Sequence, residues 1–227
     1  MHISTAMARL NPTNVRLDTG MGGGGQDAMT AQMIAGAIAF VPAGRGRELL
    51  CHKWWPDGAK LTAARLQSNV AKLLLDEWNR REDAFNTGWM ARAVAVDGHA
   101  KARAQLLYAE ARQRRWPEAV SRRADDHDVA ATYAGIVKAV LDEIQCGGRC
   151  EACDGSGEVV NANRRTTCKN CRGTTLARPS DRSRADAIGL KSNKDYARIW
   201  RRVYEWLLAL LEEELAEAEA AMVRAIK

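Results

Sequence analysis

Apolar side chains recur every three or four residues along much of this chain, which is the spacing of an amphipathic helix. A first helix of small and apolar residues is predicted over residues 28–41, broken by Pro42 and by a turn at residues 44–46. After a second turn at residues 56–58, two helices are predicted in succession, the second ending near Gly98. Their apolar positions are Leu66, Val70, Leu73, Leu74 and Trp78 on the first and Phe85, Trp89 and Val96 on the second.

Two more helices complete this part of the sequence. One covers residues 99–115 and stops before Pro117, and the next begins with Asp126 or Asp128 as its N-terminal cap. The apolar positions of this last helix are Val129, Tyr133, Ile136, Val137, Val140, Leu141 and Ile144. Because no run of alternating apolar and polar residues occurs between residues 29 and 145, we predict an all-α bundle there.

The pattern changes at residue 146. Residues 146–178 combine glycines and cysteines with β-branched pairs, which favour short strands. A short helix is predicted next, over residues 180–188, opened by Pro179 and ended by Gly189. A long helix is then predicted from Lys194 to the C-terminus, with one wide apolar stripe formed by Ile199, Val203, Leu207, Leu210, Leu211 and Leu215.

Basic residues exceed acidic ones, and the excess is unevenly distributed. The chain has 34 Lys and Arg against 28 Asp and Glu, with a pI near 9.1. Residues 146–205 alone carry 13 basic and 7 acidic residues, whereas residues 206–227 are net acidic. This distribution favours an anionic partner for the part of the chain that contains the cysteine pairs.

The cellular compartment also bears on the cysteines. The N-terminus lacks the basic region, apolar stretch and cleavage site of a secretory signal, and the longest apolar run, residues 34–41, is too short to cross a bilayer. We therefore expect a cytoplasmic protein without a membrane partner. In a reducing cytoplasm, cysteines in spaced pairs indicate a metal site more often than a disulfide.

Four cysteines have the spacing of a zinc site: Cys150 and Cys153, then 14 residues, then Cys168 and Cys171. Each CxxC turn directs two thiolates to one point, and two such turns at the ends of a β-hairpin complete a tetrahedron around Zn²⁺. Four thiolates leave no open position for a substrate, so the single predicted ion is structural. The alternative is four reduced cysteines without metal.

Two other positions carry ligand-type side chains. Cys146 lies close to the first pair but lacks the CxxC spacing, so we interpret it as a bystander rather than as an alternative ligand. Cys51 and His52 lie far from the hairpin in sequence, and we interpret them as ordinary members of the helical bundle.

The residues after the cysteines have the order of a helix-turn-helix: a short basic helix, Gly189 at the turn, Ser192 or Asn193 as the cap, and a second basic helix. The second helix of such a motif presents its N-terminal residues to base edges, which points to Asn193, Lys194 and Arg198, with Ser192 beside them. Phosphate contacts are predicted for Arg182, Arg184, Lys191, Arg201 and Arg202. The alternative is a basic helical hairpin that does not bind DNA. Trp200, Tyr204 and Trp206 are predicted to be core residues rather than base-stacking ones.

The predicted fold class is therefore mainly α, with four segments. Residues 1–28, which contain breakers and a run of four glycines, form a flexible N-terminal arm, and residues 29–145 form a helical bundle. Residues 146–178 form an inserted zinc-binding β-hairpin. Residues 179–227 form a helix-turn-helix that ends in a long C-terminal helix.

The segment from Gly148 to Leu215 resembles the lambda-type antitermination protein Q of tailed phages. The resemblance is carried by Gly148-Arg149-Cys150-x-x-Cys153-x-Gly155-x-Gly157, by Cys168-x-x-Cys171-x-Gly173, and by Arg198, Arg201, Tyr204 and Leu207 on the long helix. Upstream, Asp97-Gly98-x-x-Lys101-Ala102 is similar to the same family. Relative to that family, the hairpin is short, Thr174-Thr175 stands where a further glycine is usual, and residues 112–128 form an insertion.

The resemblance implies a non-enzymatic factor of phage late gene expression. Proteins of that family bind a DNA element at a late promoter and load onto host RNA polymerase that is paused nearby with its sigma factor. The polymerase then reads through terminators and pauses. The implied partners are double-stranded DNA and host RNA polymerase, and the implied location is the host bacterial cytoplasm.

Three other functions fit parts of the sequence. A zinc-containing helix-turn-helix repressor would use the same elements without needing a polymerase. The zinc modules of DnaJ-type chaperones also contain CxxCxGxG motifs, but they carry four such repeats, and this chain has no His-Pro-Asp tripeptide. An enzyme is not expected, because no cluster of His, carboxylate and nucleophilic residues is evident.

Overall fold

The computed structural model describes residues 31–117, 129–145, 153, 158–161, 164–169, 171 and 179–226. Within these ranges the chain is mainly helical with one two-stranded sheet, which confirms the mainly α prediction. The predicted arm at residues 1–28 and the predicted caps Asp126 and Asp128 lie outside the described residues. None of the described helices combines the length and apolar composition needed to span a bilayer.

Six helices are separated by turns or by the sheet: α1 (Ala31–Ala39), α2 (Arg45–Trp54), α3 (Ala63–Val94), α4 (Gly98–Arg114), α5 (Val129–Gln145) and α6 (Asp181–Ala187). The strands β1 (Glu158–Asn161) and β2 (Arg164–Thr167) lie between α5 and α6 and pair antiparallel. From residue 193 the chain is helical to residue 226, in three parts: α7 (Asn193–Asp195), a π-helical segment (Tyr196–Trp200) and α8 (Arg201–Ile226).

Packing divides the chain into two compact units, each built from separate stretches of sequence. The first unit comprises residues 1–66, 140–178 and 208–227, and the second comprises residues 67–139 and 179–207. The predicted segments follow the order of elements along the chain, whereas these units group elements that are distant in sequence.

In the first unit, polar contacts hold α2 in place. The Arg45 guanidinium donates to the Glu214 carboxylate, with 3.0 Å between Nε and Oε2. Glu48 is 5% exposed, and its carboxylate accepts hydrogen bonds from the backbone N–H groups of Lys60 and Leu61 at 2.9 and 2.8 Å. The apolar core of this unit includes Leu49, Leu50, Leu211, Leu215 and Met222.

Helix α2 was not predicted from the sequence, which indicated only a turn at residues 44–46. The glycines there were interpreted as helix breakers, but Gly46 lies inside the helix. A Cβ at Gly46 would overlap the backbone carbonyl of Glu214. This glycine therefore permits a close approach of two backbones rather than a chain reversal.

The prediction of two successive helices between residues 66 and 96 is wrong, since α3 is a single helix of 32 residues. No proline interrupts it, and the residues that join the two predicted parts favour helix. Glu77 accepts hydrogen bonds from Arg80 and Arg81, both at 2.7 Å, and such pairs three and four residues apart stabilise a helix.

The second unit has an aromatic core. The rings of Tyr133 and Trp200 meet edge to face with 5.1 Å between centroids, and those of Trp116 and Trp206 do the same at 5.1 Å. Trp200 and Tyr204 are 6% and 1% exposed, which confirms the prediction that they are core residues. Other buried apolar residues of this unit include Val70, Leu74, Ile136, Val137, Val203 and Leu207.

The turn between α6 and α7 follows the sequence prediction closely. The Ser180 hydroxyl caps α6 by accepting from the Ser183 N–H at 3.1 Å, and Gly189 ends that helix in the left-handed region, with φ 79°. The Ser192 hydroxyl caps α7 by accepting from the Lys194 N–H at 3.2 Å. Leu190 is buried beneath the turn. The π-helical geometry of residues 196–200 was not predicted.

Helices α3 and α4 approach closely at Gly88 in the second unit. A Cβ at this position would lie 3.0 Å from Tyr108 Cα, closer than most such contacts in proteins, so the neighbouring backbone must shift by a few tenths of an ångström. We predict that Gly88→Ala lowers the free energy of unfolding by about 1–2 kcal/mol, because the two helices must separate. Urea unfolding of the purified variant measures this.

The matched control is Gly36→Ala, since nothing lies within 4 Å of a Cβ at that helical position. There the higher helix propensity of alanine should stabilise the protein by up to about 1 kcal/mol. If both variants gain stability, the close contact at Gly88 does not exist.

Candidate functional site

Three of the four predicted metal ligands are brought together in the first unit. The Sγ atoms of Cys153, Cys168 and Cys171 all lie within 4.8 Å of one another, and those of Cys153 and Cys171 are 3.6 Å apart. All three cysteines are buried, at 8%, 1% and 1% exposed. The fourth predicted ligand, Cys150, lies outside the described residues, as does Cys146.

The two strands position this cluster. In the register of the sheet, Glu158 pairs with Thr167 and Asn161 pairs with Arg164, so the residue before Cys168 lies opposite the first residue of β1. Val159, which is partly buried, packs against the three cysteines. One β-branched residue of the first strand thus also provides an apolar contact for the sulfur atoms.

The distances between the sulfur atoms fit a metal rather than a disulfide. A disulfide requires about 2.05 Å between sulfurs. Thiolates bound at about 2.3 Å to one tetrahedral ion lie about 3.8 Å apart. The value of 3.6 Å between Cys153 and Cys171 is close to that edge length. Three buried thiols at this spacing can therefore hold a thiophilic metal ion.

Cys51 and His52 have structural surroundings instead. Burial in α2, together with the nearby Glu48 carboxylate, raises the pKa of the Cys51 thiol and keeps it protonated. A ring nitrogen of His52, Nε2, lies 2.8 Å from the backbone oxygen of Leu61. In the part of the chain that the structure describes, the group of three cysteines that can hold a metal does not include either residue.

Five of the predicted DNA-binding side chains are exposed around the turn between α6 and α7: Arg182, Lys191, Asn193, Lys194 and Arg198. Arg182 lies 4.0 Å from the Asp186 carboxylate, and Arg198 lies 3.2 Å from the Asp195 carboxylate. Both arginine side chains remain largely exposed, at 83% and 71%, so these weak surface pairs leave the charges accessible.

Arg184 does not belong to this exposed set. It is 8% exposed, and its guanidinium carbon lies 5.0 Å from the centre of the Tyr204 ring. Placing a cation over an aromatic face and burying its stem stabilises the packing of α6 on α8. The side chain of Arg184 is used inside the fold, and the phosphate contact expected of it stays a prediction that would compete with this packing.

Arg201 and Arg202 are also engaged within the second unit. Arg201 forms an ion pair with Asp181 at the start of α6. Arg202 donates to the backbone carbonyls of Gln113, at 2.9 Å, and Arg115. Burial of the Arg202 guanidinium lowers its pKa, and the nearby positive charge of Arg81 lowers it further. Both side chains join structural elements, and the phosphate contacts expected of them stay predictions that would compete with these pairs.

Sequence reasoning missed the acidic partners. The pairing of Asp195 with Arg198 is visible as a spacing of three residues on a helix. The pairing of Asp181 with Arg201 joins residues twenty positions apart, and no local signal indicates it. The Ser192 hydroxyl is partly buried and occupied as a cap, so it supports the start of α7 rather than facing a ligand.

Comparisons with known proteins identify no relative. No family model matches the chain, no curated protein matches it, and no solved structure matches it.

The two arginines of α6 give a direct test of these assignments. We predict that Arg184→Ala lowers the free energy of unfolding by about 2 kcal/mol, because it removes packing and charge at a buried site. Arg182→Ala, two residues earlier on the same helix, should change the free energy of unfolding by less than about 0.5 kcal/mol. Urea unfolding of both variants measures the difference. Equal free energies of unfolding would show that Arg184 is not part of the core.

Proposed function

We propose that this protein is a zinc-containing, DNA-binding transcription antitermination factor. It would bind a late-promoter element through the start of α7 and load onto host RNA polymerase, so that the polymerase reads through terminators and pauses. The observation that carries the proposal is a buried thiol cluster followed along the chain by a capped, exposed basic helix start.

Zinc is the metal that best fits the thiol cluster. Sulfur-only ligand sets at CxxC spacing favour Zn²⁺, and the ion has no geometric preference that a small hairpin must satisfy. We assign Cys150 as the fourth ligand on sequence spacing. Bringing thiolates together without a cation costs electrostatic free energy, which one divalent ion offsets.

We predict one zinc ion per chain, bound by Cys150, Cys153, Cys168 and Cys171. Cys153→Ser, Cys168→Ser and Cys171→Ser should each lose the metal, and with it on the order of 10 kcal/mol of binding free energy that folds the hairpin. Elemental analysis of purified protein measures the zinc content. Cys51→Ala is the control and should keep one zinc, and a wild-type chain purified without metal would contradict the proposal.

The DNA-binding part of the proposal rests on the exposed side chains at the turn. Asn193 and Lys194 stand in the first turn after the Ser192 cap, and Arg198 follows as an exposed residue of the π-helical segment. Lys191 and Arg182 lie on either side of Gly189 in sequence and are suited to phosphate contacts. Arg184, Arg201 and Arg202 are left out of this interface because they are engaged within the fold.

We predict that Arg198→Ala relaxes sequence preference at one position of the DNA site. An arginine at this place can make a bidentate contact to guanine, worth about 1–3 kcal/mol of discrimination. Selection from a pool of randomised duplexes, by wild type and by variants, measures the preference. Lys191→Ala is the control and should weaken binding to all sequences about equally. An Arg198→Ala protein that enriches the same sequences as wild type would place the reading surface elsewhere.

Antitermination itself is supported by the resemblance of residues 148–215 to the lambda-type Q family. A terminator read-through assay with purified bacterial RNA polymerase tests it, on a template that carries the selected DNA site upstream of a terminator. Read-through that rises with this protein and is lost in the Cys171→Ser variant supports the proposal. Reduced initiation without read-through would indicate the alternative, a zinc-containing helix-turn-helix repressor.

A further inference from the structure

A cleft between α3 and α4 in the second unit is lined by arginines that the proposed DNA surface does not include. Its volume is about 310 Å³, and Arg80, Arg81 and Arg114 line it together with Thr87, Gly88 and Glu110. Gly88, where α3 and α4 approach closely, also lines the cleft. The space is large enough for a phosphate with its sugar.

Arg81 has a structural role at the C-terminal end of α4. Arg81 donates to Glu77 and, at 2.8 Å, to the backbone carbonyl of Arg114 at the last position of α4. Arg202 donates to the neighbouring carbonyls of Gln113 and Arg115. The C-terminal end of a helix is negative and repels anions, and these two guanidinium groups offset that charge.

Arg80 and Arg114 both expose positive charge to solvent. The Arg80 guanidinium donates to both carboxylate oxygens of Glu77 at 2.7 Å, and its side chain stays 69% exposed. Arg114 is exposed, and its side chain makes no hydrogen bond or ion pair to any residue in the described part of the chain. Glu110 lines the cleft and Glu77 pairs with Arg80 and Arg81, so the three arginines exceed these two carboxylates by one charge.

The cleft adjoins the helix that carries the proposed DNA-reading residues. Arg202 contacts the end of α4 directly, and Arg198 precedes Arg202 by four residues in the same continuous helical stretch. The backbone of a duplex bound at the start of α7 would pass the cleft if it followed this helix toward Arg202.

We infer that Arg80 and Arg114 form a second DNA contact, which binds backbone phosphate next to the segment read by α7. The inference rests on the proposed function. Guanidinium groups match phosphate oxygens in geometry as well as charge, and such contacts add affinity and register without reading sequence. Arg81 acts as a positioning residue, because it fixes the end of α4 from which Arg114 projects.

The test compares two double variants of the full chain that remove the same charge. Arg80→Gln with Arg114→Gln removes the proposed contact. Lys101→Gln with Arg103→Gln removes two exposed cations from α4, where Arg103 lies on the same face as Arg114 but about 16 Å away along the helix. Equal thermal unfolding temperatures show that both double variants are folded.

Affinity for a fluorescent mixed-sequence duplex of about 30 base pairs is measured at several salt concentrations. The Arg80 and Arg114 double variant should reduce the slope of log affinity against log salt by about two units, since each lost phosphate contact removes about 0.9. The control double variant should keep the wild-type slope to within about half a unit. An unchanged slope in both variants would overturn the inference.

The outcomes separate this inference from the proposed function. If wild type binds no DNA, both fail. If wild type binds DNA and Arg198→Ala changes its sequence preference, but the Arg80 and Arg114 double variant keeps the wild-type slope, only the inference fails. If the two double variants lose slope equally, the effect is one of net charge and the cleft is not a contact.

Discussion

Hydrogen bonds to the backbone carbonyls at the C-terminal end of α4 join three helices within the second unit. A helix leaves its last carbonyls without partners inside the helix, so donors from elsewhere in the chain can bind them. Arg81 from α3 and Arg202 from α8 supply those donors. Two helices distant in sequence are thereby held to the end of a third, and the ring of Trp116 lies against the Arg81 guanidinium at 4.2 Å.

This use of arginine changes how the positive charge of the chain is interpreted. The sequence places Arg184, Arg201 and Arg202 in a basic segment, where each resembles a phosphate ligand. In the fold, one lies over Tyr204, one pairs with Asp181 and one caps α4. A guanidinium group has several donors and a long apolar stem, so it satisfies carbonyls and covers aromatic rings as readily as it binds phosphate.

The thiol cluster poses a different physical problem. The two strands beside it have four residues each, too few to bury a core of their own, and isolated strand pairs are marginal in water. Burial of Cys153, Cys168 and Cys171 against Val159 provides a small apolar contact. A metal ion held by these sulfurs would add the larger part of the stabilisation, so the proposed zinc would serve folding rather than chemistry.

Elements whose causes are local could be predicted from the sequence. Helical periodicity predicted α5 and the long helix that ends the described chain, and the breakers at Gly98 and Pro117 bounded α4. The Ser180, Gly189 and Ser192 turn followed from capping and left-handed backbone preferences. The CxxC spacing predicted which thiols meet, and three of the four are brought together. The joining of two predicted helices into α3 was missed, because weak apolar periodicity in the middle of a helix resembles a break.

Tertiary structure alone decided the features that join residues far apart in the chain. Gly46 was interpreted as a breaker because its helical position depends on the backbone of Glu214, 168 residues later. The accessible basic surface could not be obtained by counting Lys and Arg, because whether a guanidinium group faces solvent depends on the carbonyls, carboxylates and rings that the fold places near it. Spacing determines which residues share a helix face, and packing determines which of those faces remains free to bind.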